Sequence, residues 1–405
     1  MRPSTAFRVL PTWAVCAAGA AALAVAMGIG RFVFTPLLPL MQREGLLSAD
    51  GGALLAAANY LGYLFGALTA ARVPASPRTL VLGALLGTAL LTAATGWFSG
   101  LQVWLLLRLG AGVLSAWALV GIGSWAMPTL AQRGRAHAGG WVFAGVGLGI
   151  ALAGGWVWLF AAQSTSMLWL QLGALALLLS AAVVWAWRPH AVRVQQPPAR
   201  RSPAAMPRGS WGLVLCYGTL GFGYILPATY LPALARSLID DPRLFGLIWP
   251  AFGLAAAAST LLAGRALRRC HGLQIWSFSH VLMAAGCALP LLTRSGAGLT
   301  LSALCVGGTF MVATMVGLQQ VRTLAPLNPA PLLGRMTAAF ACGQIAGPLV
   351  ALGLARLPTP GWSGVELTLG LAALALLASA RWLHRALLQT LLETSDGHTP
   401  IARAS

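Results

Sequence analysis

The chain has 405 residues, of which 58% are hydrophobic and only 8% are charged. Soluble globular proteins carry about 25% charged residues, so this composition excludes a water-soluble domain. The formal net charge of +19 invites a nucleic-acid-binding function, but the 26 basic residues are all arginines and lie mostly between apolar segments. Such a distribution is typical of a membrane protein and excludes a nucleic-acid partner.

Apolar runs of roughly 20 residues recur along the whole chain, which is the length that a helix needs to cross a bilayer. The runs are continuous rather than alternating, so they predict helices and not a barrel. The first apolar run is too long for a cleaved signal peptide. Twelve spans are predicted, at 12–40, 51–71, 79–98, 101–127, 138–161, 167–187, 211–235, 244–264, 273–293, 299–322, 336–356 and 362–383.

The arginines predict the orientation of the chain in the membrane. If the N-terminus is cytoplasmic, 19 of the 26 arginines fall in cytoplasmic segments and only five in outer loops. This bias is the positive-inside pattern, and it places both termini in the cytoplasm. We therefore expect a multi-pass protein of the inner (plasma) membrane, with its basic segments against anionic lipid headgroups of the bilayer.

A segment rich in Arg and Pro, 188–209, divides the chain into two parts of similar size. Its composition predicts a cytoplasmic linker between an N-terminal six-helix bundle, 1–187, and a C-terminal six-helix bundle with a short tail, 210–405. A shift of 193 residues aligns Gly28-x-Gly30 with Gly221-x-Gly223. Six spans per half give both halves the same orientation, so the sequence predicts a parallel repeat.

Two motifs suggest a family. The chain reads GIGRFVFTPLLPLMQ at 28–42 and AANYLGYLFGAL at 57–68. With twelve spans and a basic central loop, these motifs resemble the major facilitator superfamily and, within it, the YbfB/YjiJ-type transporters. The resemblance implies an all-α membrane protein with two six-helix bundles and alternating access. The superfamily's acid in the loop after the second span is absent from 70–78, so a different cytoplasmic latch is expected.

Arg31 is the first candidate for a functional residue because it lies inside an apolar run. A charged group at membrane depth costs at least ~2.5 kcal/mol and usually faces a cavity or the protein interior. A guanidinium gives a two-pronged match to a carboxylate, so Arg31 could anchor an anion. The alternative is a structural charge that bonds to backbone carbonyls beside Pro36 and Pro39.

Several polar residues are predicted at the depth of Arg31. Arg108 lies about eight residues into the fourth span, and no acidic residue lies at comparable depth to neutralise either arginine. The substrate-binding candidates are Arg31, Arg108, Asn59, Tyr60, Tyr63, Tyr224 and Tyr230, and Tyr224 falls at the repeat position of Arg31. The aromatic residues could instead be ordinary packing or interfacial residues.

Prolines and glycines predict where helices break and where they touch. Pro36 and Pro39 in the first span, with Pro227 and Pro232 in the seventh, predict paired interruptions and gating movements. Small-residue faces predict close helix packing at Gly145, Gly149, Gly343 and Gly347. Gln319, Gln320 and Gln344 could line the inner vestibule or bond between helices.

Proton coupling needs a titratable group at membrane depth, and His280 is the histidine that lies well inside an apolar run. A structural role for His280 is the alternative.

The six cysteines have no metal-like spacing, and the sequence contains no phosphate loop and no catalytic set of residues. The sequence therefore predicts neither an enzyme nor a cofactor.

Together these features predict a monomeric secondary transporter for a small organic solute, anionic or zwitterionic, with a co- or counter-transported proton left open. A transport-inactive sensor or scaffold on the same fold, and an efflux pump for apolar compounds, are the alternatives. Substrate identity and direction of transport do not follow from the sequence.

Overall fold

The computed structural model describes residues 10–70, 72–187, 210–238, 242–325, 330–356 and 361–396. These residues form helices joined by short turns, and 12 of the helical segments are long and apolar enough to cross a membrane. The predicted linker 188–209 and the tail beyond 396 lie outside the described residues.

The first span consists of three pieces: α1 (Thr12–Leu23), a π-helical segment (Ala24–Ile29) and α2 (Phe34–Arg43). Each remaining span is one helix. These are α3 (Ala49–Ala70), α4 (Pro77–Trp97), α5 (Leu101–Gln132), α6 (Gly139–Leu159), α7 (Thr165–Trp187), α8 (Ser210–Leu238), α9 (Pro242–Ala266), α10 (Gly272–Leu292), α11 (Gly296–Leu324), α12 (Ala330–Leu354) and α13 (Gly364–Asp396). The twelve predicted spans and the all-α fold class are confirmed.

Glycines set the closest helix contacts within the N-terminal half. A Cβ atom added at Gly145 would lie 2.1 Å from the Ala20 carbonyl oxygen, and one added at Gly149 would lie 2.4 Å from the Ala24 carbonyl oxygen. Small residues let helix backbones approach this closely. The fifth span, α6, is therefore packed directly against α1 and the π-helical segment.

The C-terminal half repeats this arrangement between α8 and α12. A Cβ at Gly221 would lie 2.2 Å from the Phe340 carbonyl oxygen, and one at Gly343 would lie 2.2 Å from the Gly218 carbonyl oxygen. Gly347 lies against the side chain of Ile225. The first and fifth spans of each half thus meet through glycines, as a parallel repeat would require.

The two halves meet along α6 and α9. A Cβ at Gly147 would lie 2.3 Å from the Ala257 backbone nitrogen, and one at Gly253 would lie 2.4 Å from the Ala151 backbone nitrogen. Nearer the ends, Gly140 faces the Thr260 carbonyl, and Gly154 faces Trp249. Alternate glycines of α6 therefore serve different contacts, some within the half and some between the halves.

The paired interruption predicted from the prolines occurs in the first half alone. α8 runs continuously through Pro227 and Pro232, so the seventh span is not broken there. In the first span, Pro36 and Pro39 lie within α2, and the irregular backbone precedes them at residues 24–33. Pro36 has no N–H to donate to the Phe32 carbonyl, which lies near the end of this irregular segment, but the π-helical part lies further back and is not explained by the proline alone.

Candidate functional site

The irregular backbone of the first span is the base of the site. Gly30 N–H donates to the Val25 carbonyl and Phe32 N–H to the Met27 carbonyl, each five residues back, as in a π-bulge. Such bulges are frequent at functional sites. Beyond them, Thr35 N–H donates to the Phe32 carbonyl at 3.2 Å instead of to the carbonyl of Arg31. Carbonyl groups are thereby released from the helical pattern at membrane depth.

Arg108, on α5, satisfies these released carbonyls. Its Nη1 donates to the Gly30 oxygen at 3.1 Å, and its Nη2 donates to the Arg31 oxygen at 2.9 Å. The guanidinium carbon also lies 4.9 Å from the centre of the Phe34 ring. Arg108 therefore stabilises the irregular backbone of the first span and adds a positive charge beside it.

Arg31 is buried, with 3% of its surface exposed, and its side chain faces the interior. Its guanidinium carbon lies 3.9 Å from the centre of the Tyr63 ring and 5.9 Å from that of Tyr60. These are cation–π distances, which stabilise a charge without neutralising it. Arg31 Nη2 donates to Gln344 Oε1 at 2.6 Å, across the boundary between the halves.

The polar network continues into the C-terminal half. Gln344 Nε2 donates to the Tyr224 hydroxyl. The Tyr224 ring is stacked between Phe310 and Phe340, at centroid distances of 5.2 and 5.4 Å and interplanar angles of 12° and 11°. The two phenylalanine rings therefore hold Tyr224 in position. Tyr224 in turn orients the Gln344 amide that contacts Arg31.

Arg31, Asn59, Tyr60 and Arg108 line a cavity of about 30 Å³ between the halves. The C-terminal half contributes Ile225, Ala228 and Thr229 to the same lining. A volume of this size holds a water molecule or two, whereas binding sites for organic ligands measure roughly 300–1,000 Å³. In this structure the cavity is therefore too small for an organic ligand of ordinary size.

Polar atoms in this site lack partners. Arg31 Nε and Nη1, Arg108 Nε and Asn59 Oδ1 are buried and make no hydrogen bond within the described residues. The one salt bridge found among those residues, between Arg294 and Glu366, is on the surface. Buried polar groups are usually satisfied, so the two guanidiniums form an uncompensated positive centre with unused donors.

The predicted candidates fall into two groups. Tyr60 and Tyr63 lie near Arg31, and the Tyr60 hydroxyl is 3.0 Å from Thr229 Oγ1 of the other half. Asn59 donates through Nδ2 to the Arg108 carbonyl at 3.0 Å. Tyr230, by contrast, is half-buried and outside the cavity lining, and the side chain of Pro232 is not described.

His280 is buried on α10, away from the lining of the cavity. Trp276 Nε1 donates to His280 Nε2 at 2.9 Å, and His280 Nδ1 lies 2.9 Å from Ser379 Oγ. An indole nitrogen can only donate, so His280 Nε2 accepts and Nδ1 carries the proton. These contacts favour the structural alternative, with a neutral imidazole.

Sequence reasoning left the role of Gln344 open, although its side chain is the partner of Arg31. Thr229 and the aromatic pair Phe310 and Phe340 were missed altogether. Gln344 could have been singled out from its neighbours in the sequence. It lies between Gly343 and Gly347, and these two glycines pack its helix closely against α8. Thr229 and the phenylalanines carry no such signal, because they are ordinary residues of membrane helices.

Further contacts join the halves at the end predicted to face the cytoplasm. Arg322 Nη2, on α11, donates to the Gly123 carbonyl of α5. Arg268 Nη2 lies 2.7 Å from His137 Nε2, between the segments that follow α9 and α5. Each of these two contacts pairs an arginine with a neutral acceptor rather than with an acidic residue.

Twelve membrane-crossing helices around a central polar site define a multi-pass membrane transporter of the major facilitator class. The family model described as "Uncharacterised MFS-type transporter YbfB" matches residues 23–383 of the chain. The chain therefore belongs to that family. A search of curated proteins found no significant match.

Proposed function

We propose that the protein carries a small organic anion or zwitterion and that Arg31 binds its negative group. The observation that carries this proposal is the state of the Arg31 side chain. It is 3% exposed, its Nε and Nη1 have no hydrogen-bond partner in the described residues, and its Nη2 donates to the neutral amide of Gln344. A carboxylate forms stronger, charge-assisted bonds with a guanidinium than an amide does. An anionic ligand would therefore compete well for this site.

Transport requires the halves to move. The cavity of about 30 Å³ is far below the roughly 300–1,000 Å³ of sites that bind organic ligands, so contacts between the halves must open to admit a substrate. Tyr60 and Thr229 meet across the halves in the cavity lining, while Arg322 reaches Gly123 at the end predicted to be cytoplasmic. Opening one set of contacts at a time gives alternating access across the inner membrane, with both termini in the cytoplasm.

The test uses purified protein in proteoliposomes, with uptake or counterflow of labelled two- to four-carbon carboxylates and amino acids. Arg31→Gln keeps a polar side chain but removes the charge, and it should reduce anion transport at least tenfold. Arg31→Lys keeps the positive charge, so it should retain part of the activity. The activity should remain below wild type because an ammonium group cannot make the two parallel hydrogen bonds of a guanidinium. Arg294→Gln removes a surface arginine and should transport like the wild type. A folded Arg31→Gln protein with wild-type anion transport would overturn the proposal.

One observation favours an efflux function for apolar compounds instead. Aromatic rings lie beside the cavity, with Phe32 and Phe310 at a centroid distance of 6.0 Å and Tyr224 stacked on Phe310. Planar apolar compounds could bind if these rings separated. In the same proteoliposomes, transport of an apolar dye that is unaffected by Arg31→Gln would select this alternative. A ligand-induced thermal shift without counterflow would select a sensor.

A further inference from the structure

Asn59 contributes an unpaired acceptor to a site whose two guanidiniums can only donate. Its Nδ2 donates to the Arg108 carbonyl at 3.0 Å, and a carbonyl can only accept. This bond fixes the orientation of the amide and identifies Oδ1 as the other end. Asn59 is 1% exposed, and Oδ1 has no hydrogen-bond partner in the described residues.

The position of Asn59 is fixed by its backbone as well. A Cβ added at Gly112 would lie 2.1 Å from the Asn59 carbonyl oxygen, so α3 and α5 are in direct backbone contact here. Asn59 lines the same cavity as Arg31 and Arg108. The amide of Asn59 is thus held against α5 in a residue that lines the same cavity as the two arginines.

A simple carboxylate would satisfy the arginines but would leave Asn59 Oδ1 without a donor. A buried acceptor left unpaired weakens binding, and sites that bond to a substrate hydroxyl or amine reject analogues that lack it. A carboxylate that also carries a hydroxyl or ammonium group could accept hydrogen bonds from the arginines and donate one to Asn59 Oδ1. The complementary ligand has an anionic end and a nearby hydrogen-bond donor.

We propose that the substrate is a hydroxy or amino carboxylate and that Asn59 is the residue that selects the donor group. The proposal rests on the proposed anion-carrier function and specifies its substrate class. Asn59 contacts the donor group of the ligand through Oδ1, while Arg31 contacts the carboxylate.

Matched acids test the selection on the wild-type protein. Propanoate is compared with 2-hydroxypropanoate and 2-aminopropanoate, and butanedioate with 2-hydroxybutanedioate, by thermal shift and by counterflow in proteoliposomes. The donor-bearing acid of at least one pair should bind about tenfold tighter than its plain analogue. If the acids bind in an Arg31-dependent way but each pair binds equally, the role of Asn59 is overturned and the anion carrier stands. If none of the acids binds, both proposals are overturned.

Asn59→Leu should lower the preference for the donor-bearing acid to about twofold or less, while the plain acid still binds. Thr88→Val is the matched control, because Thr88 Oγ1 is also buried without a partner but does not line the cavity. That variant should keep the wild-type preference. An undiminished preference in folded Asn59→Leu would overturn the assignment, and the comparison of acids on the wild type decides the matter if this variant does not fold.

Discussion

Arg31 Nη2 donates to Gln344 Oε1 at 2.6 Å, although the two residues are 313 positions apart and belong to different halves. This bond joins the first span to the eleventh at the depth of the cavity. A neutral amide satisfies one donor of the guanidinium but leaves its charge uncompensated. The proposed anionic substrate would compete with this amide for Arg31.

Gln344→Glu should convert this contact into a buried ion pair. The carboxylate would compensate Arg31 permanently, so the protein without substrate should unfold at a higher temperature. Transport of the anions used above should fall at least tenfold, and their thermal shift should disappear. Gln344→Met is the control, since it keeps the approximate size without a charge and should still bind anions. Wild-type transport by Gln344→Glu would contradict the anchor role of Arg31.

Arg108 should be more important for stability than for ligand binding. Loss of its guanidinium would leave the Gly30 and Arg31 carbonyls buried and unpaired, at about 1–3 kcal/mol for each group. Arg108→Gln should therefore lower the unfolding temperature measured in detergent by several degrees. Arg294→Gln provides the comparison, because a surface ion pair contributes only about 0–1 kcal/mol. Equal unfolding temperatures for Arg108→Gln and the wild type would refute this role.

The sequence predicted the fold well because each span is a long apolar run whose length is set by the bilayer. It predicted that Arg31 and Arg108 share a layer, since both positions can be counted from the ends of their spans. The geometry of their contacts could not be counted in this way. Arg108 bonds to the backbone carbonyls of residues 30 and 31. The residue types at these two positions do not indicate that their carbonyls lack a helical hydrogen bond.

The proline prediction shows a different limit. Both the first and seventh spans contain two prolines, yet α8 remains helical through Pro227 and Pro232. In the first span, Arg108 supplies donors to the carbonyls released before Pro36, which stabilises the irregular backbone. Whether a proline breaks a membrane helix therefore depends on partners elsewhere in the chain, which one span's sequence does not reveal.

The glycines of α6 allow stability and conformational change to be separated. Gly149→Ala would place a Cβ 2.4 Å from the Ala24 oxygen, within one half, and should destabilise the protein by about 1–3 kcal/mol. Gly147→Ala would place a Cβ 2.3 Å from the Ala257 nitrogen, between the halves, and should lower the transport rate more than the unfolding temperature. Gly155→Ala meets nothing within 4 Å and should be neutral or slightly stabilising. These assignments would be contradicted if Gly147→Ala lowered the unfolding temperature more than the transport rate while Gly149→Ala slowed transport without loss of stability.

His280→Gln should lower stability without changing how transport responds to pH. The variant loses at least one of the bonds to Trp276 and Ser379, which hold a neutral imidazole in the core. Transport is measured with an imposed pH gradient and without one, and the ratio of the two rates should equal that of the wild type. Ser379→Ala removes one of the two partners and should show a smaller loss of stability with the same ratio. A ratio near one for His280→Gln alone would instead assign proton coupling to His280.

Arg322 should control the closure at the end predicted to be cytoplasmic. Its bond to the Gly123 carbonyl joins α11 to α5, and we expect it to serve as the cytoplasmic latch in place of the acid that 70–78 lacks. In a cysteine-free background, spin labels at the exposed positions Gln132 and Thr323 report the separation of the halves. Arg322→Gln should shift the measured distances toward longer values, because a shorter neutral side chain cannot keep this contact. Arg335→Gln is the matched control, since Arg335 contacts Trp211 within one half at 5.9 Å and should leave the distances unchanged. An unchanged distribution in Arg322→Gln would show that other contacts hold this side closed.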